Sequence, residues 1–203
     1  AKGDTTWLTD MATSMRPSDD DLKRIELAKR AIEKAVEVAF PGSRAEYFGS
    51  AVNGFETNLS DIDCVVLLSP SAAKKLLEDG EEQLEEDHPG TGGRRTRKIE
   101  AKQAVQVLND AIRTCPELED VGLTVTEVIK EARVPLLKCE SAEGVAIDVS
   151  FNNTLPLHNS KLLRSYAGLH ENVQLLGCLV KMWAKKRGVN DAHTGTLSGY
   201  SFV

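Results

Sequence analysis

The sequence predicts an α+β fold, in which a mixed β-sheet with flanking helices is followed by the start of a helical domain. Three observations lead to this prediction. A helical apolar pattern opens the chain, short apolar strands alternate with helices and turns in the middle, and only helical patterns follow residue 158. The 203 residues suffice for one hydrophobic core and part of a second.

The first predicted element is a helix that begins after Ser18 and ends before Pro41-Gly42. Ser18 and Asp21 match the capping-box pattern, and the apolar residues that follow recur at helical spacing. Residues 1–17 are polar and end in a proline, so we expect them to form a flexible tail.

Strand patterns follow the first helix. Residues 44–69 change to strand character, with a turn at Gly49-Ser50, and the predicted strands are 61–68, 122–130, 133–139 and 144–151. Because Pro135 has no N–H, we expect the strand that contains it to lie at a sheet edge or to begin at that proline.

Helical patterns occupy most of the remaining chain. The predicted helices are 71–78, 99–113, one that begins near Ser160 as its cap, and one that ends at Gly188. Residues 79–98 combine an acidic run, glycines, a proline and a basic run, which predicts a mobile loop. The basic half of that loop is also a candidate RNA contact.

These elements predict a division into two domains. Residues 18–157 would form the catalytic domain, with 79–98 as an insertion, and residues 158–203 would form the first part of a helical domain. No internal repeat is visible.

Composition excludes several classes of protein. The net charge is -6, so any contact with nucleic acid depends on local basic patches. No stretch of about 18 uncharged apolar residues predicts a membrane span. The 4 cysteines are scattered, which predicts no disulfide framework or zinc site and favours a reducing compartment, such as the cytoplasm or the mitochondrion.

Asp61 and Asp63 stand at the start of a predicted strand. Side chains alternate along a strand, so both carboxylates would project from the same face and repel each other unless a cation lies between them. Oxygen ligands suit Mg²⁺, with Mn²⁺ as the alternative. Glycosyltransferases also use an Asp-x-Asp pair, so this pattern does not identify a reaction by itself.

A third carboxylate, Asp148, interrupts the apolar strand 144–151. Placed beside Asp61 and Asp63, it would complete a site for two metal ions that supports phosphoryl transfer. The alternative interpretation is an aspartate at a strand end that faces solvent.

Two further features suit a phosphate-bearing substrate. The Gly49-Ser50 turn offers a backbone N–H and a hydroxyl, although most such pairs are merely turns. Lys181 and Lys185 share one face of a helix, where they would hold a triphosphate or would simply be solvated.

Together these segments resemble the nucleotidyltransferases of the DNA polymerase β superfamily, whose pattern is a Gly-Ser followed by Asp-x-Asp. The stretch FGSAVNGFETNLSDIDCVVL (48–67) carries this pattern. The stretches 127–138, 147–169 and 180–202 are similar to the terminal uridylyltransferases and non-canonical poly(A) polymerases. The resemblance covers most of residues 44–203, outside 79–98.

The resemblance implies a role for each matching residue. Asp61, Asp63 and Asp148 would bind two Mg²⁺ ions, and Asp148 would also help to activate the 3′-hydroxyl of RNA. The nucleotide-binding residues would be Phe48, Gly49, Ser50, Asn153, Ser160, Lys181, Lys185, Ser198 and Tyr200. Within that set, the lysines and Ser50 would meet the triphosphate, Asn153 and Ser160 would meet the ribose and base edge, and Tyr200 would stack on the base.

One position departs from the family pattern. The family has Ser-Ser-Tyr where this chain has Ser198-Gly199-Tyr200, so one hydroxyl that often contacts the phosphates is missing. We expect weaker triphosphate binding, unless Ser198 compensates.

The resulting prediction is a template-independent RNA nucleotidyltransferase that adds UMP from UTP to RNA 3′ ends and releases pyrophosphate. Uridine is preferred because the FNN…HNS segment is more similar to the uridylyltransferases. The alternatives are a poly(A) polymerase that uses ATP, an inactive paralogue that binds RNA as a scaffold, and a glycosyltransferase. The sequence does not specify the protein partners of an RNA-processing complex.

Overall fold

The computed structural model of this chain describes residues 14–58, 60–81, 92–190 and 195–202, together with Trp7, Asp10 and Met11. The strands are β1 (Arg44–Phe48), β2 (Ile62–Leu67), β3 (Leu123–Ile129), β4 (Leu136–Ser141) and β5 (Ala146–Phe151). The helices are α1 (Asp19–Ala39), α2 (Ser50–Asn53), α3 (Pro70–Glu81), α4 (Gly92–Thr114), α5 (Leu155–Ala167) and α6 (Glu171–Arg187). Two 3₁₀ helices span Pro116–Val121 and Gly199–Phe202.

The strands form one mixed sheet in the order β1-β2-β5-β4-β3. β2 and β5 are parallel and central, while every other neighbouring pair is antiparallel. The predicted mixed sheet with flanking helices is therefore confirmed, and the central parallel pair brings together two strands that are far apart in sequence.

α1 forms where the sequence predicts it. The Ser18 side chain accepts a hydrogen bond from the Asp21 N–H, and Asp21 accepts one in return from the Ser18 N–H, which completes the capping box. Ala28, Ile32 and Val36 lie on one face of the helix and are almost fully buried against the sheet. Burial of a side chain the size of Ile32 contributes roughly 1.5–3 kcal/mol.

The main hydrophobic core lies between the sheet and the layer formed by α1 and α4. Ile62, Cys64 and Val66 of β2 and Ile147 and Val149 of β5 project into it and are 0–1% exposed. The residues that alternate with them project from the opposite face of the sheet. That second face carries Asp63 and Asp148.

The prediction of a loop over residues 79–98 is wrong at both of its ends. Residues 79–81 belong to α3, and residues 92–98 belong to α4, while residues 82–91 lie outside the described residues. Arg and Lys are good helix formers, and the long apolar face of α4 packs against the core. The helical segment therefore continues from the packed part of α4 back through the basic run.

Pro135 immediately precedes β4, so the prediction that the strand begins at this proline is confirmed. The alternative, an edge strand, is wrong because β4 pairs with both β3 and β5. The proline lies before the first paired residue, and no ladder hydrogen bond is lost.

The end of the predicted flexible tail is held in place. The Met15 carbonyl accepts a hydrogen bond from the Asn58 N–H at 2.9 Å, and the Met15 side chain packs on a second hydrophobic cluster. That cluster consists of Phe55, Leu163 and Cys178, with Met15 and Ala167 at its margin. Most of residues 1–13 lie outside the described residues.

α5 begins earlier than the sequence predicts. Its N-cap is Thr154, and Pro156 lies in its first turn, where a missing N–H costs nothing. Ser160 is therefore inside the helix rather than at its cap, and the predicted domain boundary at residue 157 falls within α5. α6 ends at Gly188 as predicted, with that glycine in the left-handed conformation.

The structure has no disulfide: Cys64, Cys115, Cys139 and Cys178 are all free thiols, as the scattered spacing predicts. Among the described residues, no helix is both long enough and apolar enough to cross a membrane.

Gly177 of α6 allows close contact with Phe55. A Cβ atom at this position would lie 2.3 Å from Cε1 of the Phe55 ring, which is 2% exposed. We expect Gly177→Ala to lower the free energy of unfolding by about 1–3 kcal/mol, because overpacking outweighs the better helix propensity of alanine. Urea denaturation would measure this, and Gly168→Ala is the control since its Cβ would meet no atom closer than 3.5 Å. Equal or greater stability of Gly177→Ala would contradict the packing described here.

Candidate active site

A cavity of about 510 Å³ lies between the sheet edge and helices α5 and α6. Its wall includes many of the residues predicted from the sequence as nucleotide ligands. The lining residues are Phe48, Gly49, Ser50, Asn53, Phe55, Asp61, Asp63, Pro156, Asn159, Ser160, Leu163, Lys181, Gly199 and Tyr200. The cavity therefore draws together residues from β1, β2, α2, α5, α6 and the final 3₁₀ helix.

The Gly49-Ser50 turn packs tightly against Asp63. Gly49 has φ +70°, and a Cβ atom there would lie 2.0 Å from Oδ2 of Asp63. Glycine is therefore required both by the backbone conformation and by the lack of space. The turn is also held from the other side, because the Gly49 N–H donates to Oγ of Ser160 at 2.8 Å. Ser160 thus fixes the turn instead of capping a helix.

The parallel pairing of β2 and β5 places Asp63 directly beside Asp148. Both side chains project from the sheet face opposite the main core, where each is only partly exposed. Asp61 precedes β2 and is exposed. The three predicted carboxylates therefore gather around the ends of two neighbouring strands, although Asp61 itself is not in a strand.

Burial, together with neighbouring carboxylates, raises the pKa of both Asp63 and Asp148. Burial, followed by the charges of Asp61 and Asp148, raises the pKa of Asp63 to about 7. Burial also raises the pKa of Asp148, while the Lys138 ammonium opposes that change. Two partly buried carboxylates without an intervening cation are the arrangement that a divalent metal stabilises.

The donor set fits Mg²⁺ or Mn²⁺, since it consists of hard carboxylate oxygens with an adjacent open cavity. Asp61, Asp63 and Asp148 are the residues that would hold such ions. In the described part of the chain, no three acidic, histidine or cysteine side chains are already close enough together to hold a metal.

Lys181 of α6 supplies positive charge at the opposite wall of the cavity. Its Nζ donates to the Phe55 carbonyl at 3.4 Å. Burial lowers the pKa of Lys181, and the carboxylates of Asp61 and Asp63 partly offset this. Gly177 lies one turn earlier on the same helix face, so the Phe55 contact with Gly177 also positions Lys181.

The last described segment brings Tyr200 to the cavity, where its ring is partly exposed. Gly199 also lines the wall, and a Cβ atom there would meet no other atom within 4 Å. Ser198 does not line the cavity, and its hydroxyl lies 3.1 Å from that of Ser201. The hydroxyl that Gly199 lacks is therefore not replaced by Ser198 in this arrangement.

Three other predicted residues lie outside the cavity wall. Lys185 is exposed one turn beyond Lys181, Asn153 lies between β5 and α5, and Asp148 approaches the carboxylate group from β5. Asp148 therefore lies beside Asp63 without lining the cavity.

Sequence reasoning missed several wall residues, among them Asn159. Pro156, Asn159, Ser160 and Leu163 form one face of α5 that lines the cavity. Their i, i+3, i+4, i+7 spacing is visible in the sequence once the helix is known to begin at Leu155. The late predicted start of this helix concealed the pattern.

Comparison with known families gives a direct match. Residues 5–168 match the model of the central palm domain of mitochondrial-like poly(A) RNA polymerases. Among curated relatives, poly(A) RNA polymerase GLD2-A of Xenopus laevis is 29% identical over 199 residues, 97% of this chain and 33% of the relative. GLD2 of Homo sapiens is 30% identical over 185 residues, 90% of this chain and 34% of the relative. The chain thus spans about a third of these curated relatives.

Solved structures share the fold. The non-canonical poly(A) polymerase complex GLD-2–GLD-3 matches with a TM-score of 0.72 and 22% identity, over 98% of this chain and 55% of the solved chain. The Cid1 poly(U) polymerase with MgGTP bound matches with a TM-score of 0.73 and 23% identity, over 99% of this chain and 54% of the solved chain.

The mixed sheet, the Gly-Ser turn and the neighbouring aspartates define a nucleotidyltransferase fold. Within this class, the chain belongs to the family of mitochondrial-like poly(A) RNA polymerase central palm domains, which confirms the resemblance to the non-canonical poly(A) polymerases and terminal uridylyltransferases. Membership of this family excludes the glycosyltransferase alternative.

The raised pKa of Asp63 predicts a pH-dependent stability in the absence of metal. The Asp63 carboxyl binds its proton more tightly in the folded protein than in the unfolded chain. The free energy of unfolding therefore falls as the pH rises from about 4 to about 7. Asp63→Asn should therefore stabilise the metal-free protein at pH 8, by at most about 4 kcal/mol, and should have no such effect below pH 4. Urea denaturation in EDTA would measure this.

The matched control for this experiment is Asp120→Asn, which removes an exposed carboxylate from the first 3₁₀ helix. It should change stability little at either pH. A stability difference for Asp63→Asn that stayed constant from pH 4 to pH 8 would show that ionisation of the Asp63 carboxyl is not its cause.

Proposed function

We propose that this chain is the catalytic part of a template-independent RNA nucleotidyltransferase, which transfers AMP from ATP to the 3′-hydroxyl of RNA and releases pyrophosphate. The observation that carries the proposal is the juxtaposition of Asp63 and Asp148 beside a cavity that also holds Lys181 and Tyr200. Carboxylates that would bind metal, a lysine that would bind phosphates and an aromatic ring that would stack on a base are thus close together.

The proposed roles follow from the side on which each residue lies. ATP would occupy the cavity, with its triphosphate toward Ser50 and Lys181 and its base against Tyr200. Asn159 and Ser160 would meet the ribose, a role that we also keep for Asn153 as a proposal. Asp148 would accept the proton of the RNA 3′-hydroxyl, because it reaches the carboxylate group from outside the nucleotide cavity.

Two Mg²⁺ ions held by Asp61, Asp63 and Asp148 would neutralise charge on the attacking and leaving oxygens. The protein's own contribution is to hold the reacting groups in line. The Ser160 bond to Gly49 keeps the turn pressed against Asp63, and the docking of α6 on Phe55 keeps Lys181 opposite it. No covalent intermediate with the protein is required.

The choice of ATP departs from the preference for UTP that the sequence favoured. The family model and the curated relatives are named for poly(A) synthesis, which supports ATP. UTP remains the second candidate, because the Cid1 poly(U) polymerase is as similar in fold as the poly(A) polymerase complex.

We also propose a division into a catalytic domain and a helical domain, with the predicted boundary at residue 157 moved to the start of α5 at Leu155. Its support is that Leu163 of α5 and Cys178 of α6 are buried in a cluster separate from the core behind the sheet. Phe55 of the catalytic part completes that cluster and so forms the contact between the two parts.

Primer extension with a short RNA, with each nucleoside triphosphate supplied separately, tests the function. We expect ATP to be used at least about tenfold better than UTP in kcat/KM, a difference of roughly 1.4 kcal/mol. Asp61→Asn, Asp63→Asn and Asp148→Asn should each abolish extension, whereas Asp120→Asn should not. A preference for UTP would favour uridylyl transfer, and the absence of extension by the wild type would favour an inactive RNA-binding paralogue.

The two lysines of α6 should differ in importance. Lys181→Ala should lower kcat/KM by roughly tenfold to a hundredfold with every nucleotide, because a charge-assisted contact to a phosphate contributes about 1.5–3 kcal/mol. Lys185→Ala should cost less, since Lys185 is exposed beyond the cavity wall. Lys186→Ala is the control on the same helix, and steady-state kinetics is the measurement. Unchanged kinetics for Lys181→Ala would contradict the proposed triphosphate site.

A further inference from the structure

A row of side chains crosses the sheet on the face opposite the main core. The strand registers pair Asp63 with Asp148, Asp148 with Lys138, and Lys138 with Glu127. Paired residues on neighbouring strands project from the same face. The row therefore runs from the metal-binding carboxylates across β5 and β4 to β3, and its charges change sign at Lys138.

Lys138 is close to Asp148 without being locked to it. Its Nζ lies 4.0 Å from Oδ2 of Asp148, and the two side chains are 38% and 24% exposed. Ala146 and Glu140, which flank the pair on the same face of the sheet, are both exposed. No helix of the described residues buries the pair, so the ammonium is able to move toward Glu127.

The two lysines near the carboxylates lie on different sides. Lys181 faces Asp61 and Asp63 from the nucleotide cavity, whereas Lys138 approaches Asp148 from β4. An ATP triphosphate in the cavity would compete for Lys181 but not for Lys138. A cation that approaches Asp148 would instead meet the positive charge of Lys138.

We propose that Lys138 is a positioning residue that holds the Asp148 carboxylate in the metal-free enzyme and thereby limits the affinity of the metal ion that Asp148 binds. This inference rests on the proposed function, because it takes Asp148 as a metal ligand. Binding of the metal moves the Lys138 ammonium away from Asp148 toward Glu127. Lys138 thus acts through Asp148 and does not itself touch the reacting atoms.

The test measures the affinity for Mn²⁺ alone, without nucleotide or RNA. The electron paramagnetic resonance signal of the free ion reports how much Mn²⁺ remains unbound. Lys138→Met keeps the length of the side chain but removes its charge, and it should bind Mn²⁺ about threefold to tenfold more tightly than the wild type. Lys138→Arg should stay within about twofold of the wild type, because it retains the charge.

Two further variants separate this role from a general effect of charge. Glu127→Gln should weaken Mn²⁺ binding by about twofold to threefold, because Lys138 loses its acidic neighbour on the far side. Lys102→Met removes a lysine that is paired with Glu131 on another part of the surface, and it should leave Mn²⁺ binding unchanged. Thermal unfolding provides a second measurement. Mn²⁺ should raise the unfolding temperature of Lys138→Met more than that of the wild type.

The possible failures are distinguishable. If the wild type binds Mn²⁺ no better than Asp63→Asn and Asp148→Asn, both the metal site and this role of Lys138 are wrong. If the wild type binds Mn²⁺ through these aspartates and Lys138→Met binds it equally tightly, only the role of Lys138 is wrong. Equal tightening by Lys138→Met and Lys102→Met would also overturn it, since net charge alone would then be the cause.

Discussion

The structure depends on one pairing, that of β2 with β5, which sets two carboxylates of like charge side by side. The register is fixed by apolar residues on the other face, where Ile62, Cys64, Ile147 and Val149 are almost fully buried. A slip by one residue would move the apolar side chains of a strand from the core to the opposite face, where Asp63 and Asp148 lie, so the hydrophobic effect holds the aspartates in place. The energy of the core thereby supports an electrostatic arrangement that is unfavourable by itself.

Positive charges near Asp63 and Asp148 offset the repulsion between the two carboxylates. Lys181 brings positive charge from α6, Lys138 brings it from the neighbouring strand, and metal ions would provide the remainder. A chain with a net charge of -6 thus places one lysine, Lys181, in the cavity where an anionic nucleotide would bind, and a second, Lys138, beside Asp148. Local placement of charge, rather than net charge, accounts for how an acidic protein would handle nucleotides and RNA.

The cavity forms where helices α5 and α6 pack against the segment that follows β1. Ser160 of α5 holds the Gly49 turn, and Gly177 of α6 accommodates the ring of Phe55. Each contact joins the helical part of the chain to the segment between β1 and β2, so small displacements of α5 or α6 would move Lys181 relative to Asp63. We therefore expect substitutions at residues without a chemical function, such as Gly177, to change the geometry of the site.

The sequence by itself determined the α+β class and the capping box of α1, and it contains the residues that we propose for metal and phosphate binding. These features depend on local spacing, such as Ser18 with Asp21 or Asp61 with Asp63, which a sequence displays directly. It also indicated the family through ordered motifs, and the family model confirms that resemblance.

Only the tertiary structure decided the features that depend on distant contacts. The basic run after Gly92 is helical because the rest of α4 packs on the core, and Ser160 bonds to Gly49 because α5 begins at Leu155. The position of Lys138 beside Asp148 follows from the pairing of β4 with β5, a register that no local pattern specifies. Local propensities are weak compared with burial and long-range pairing, and this is why these features could not be found from the sequence alone.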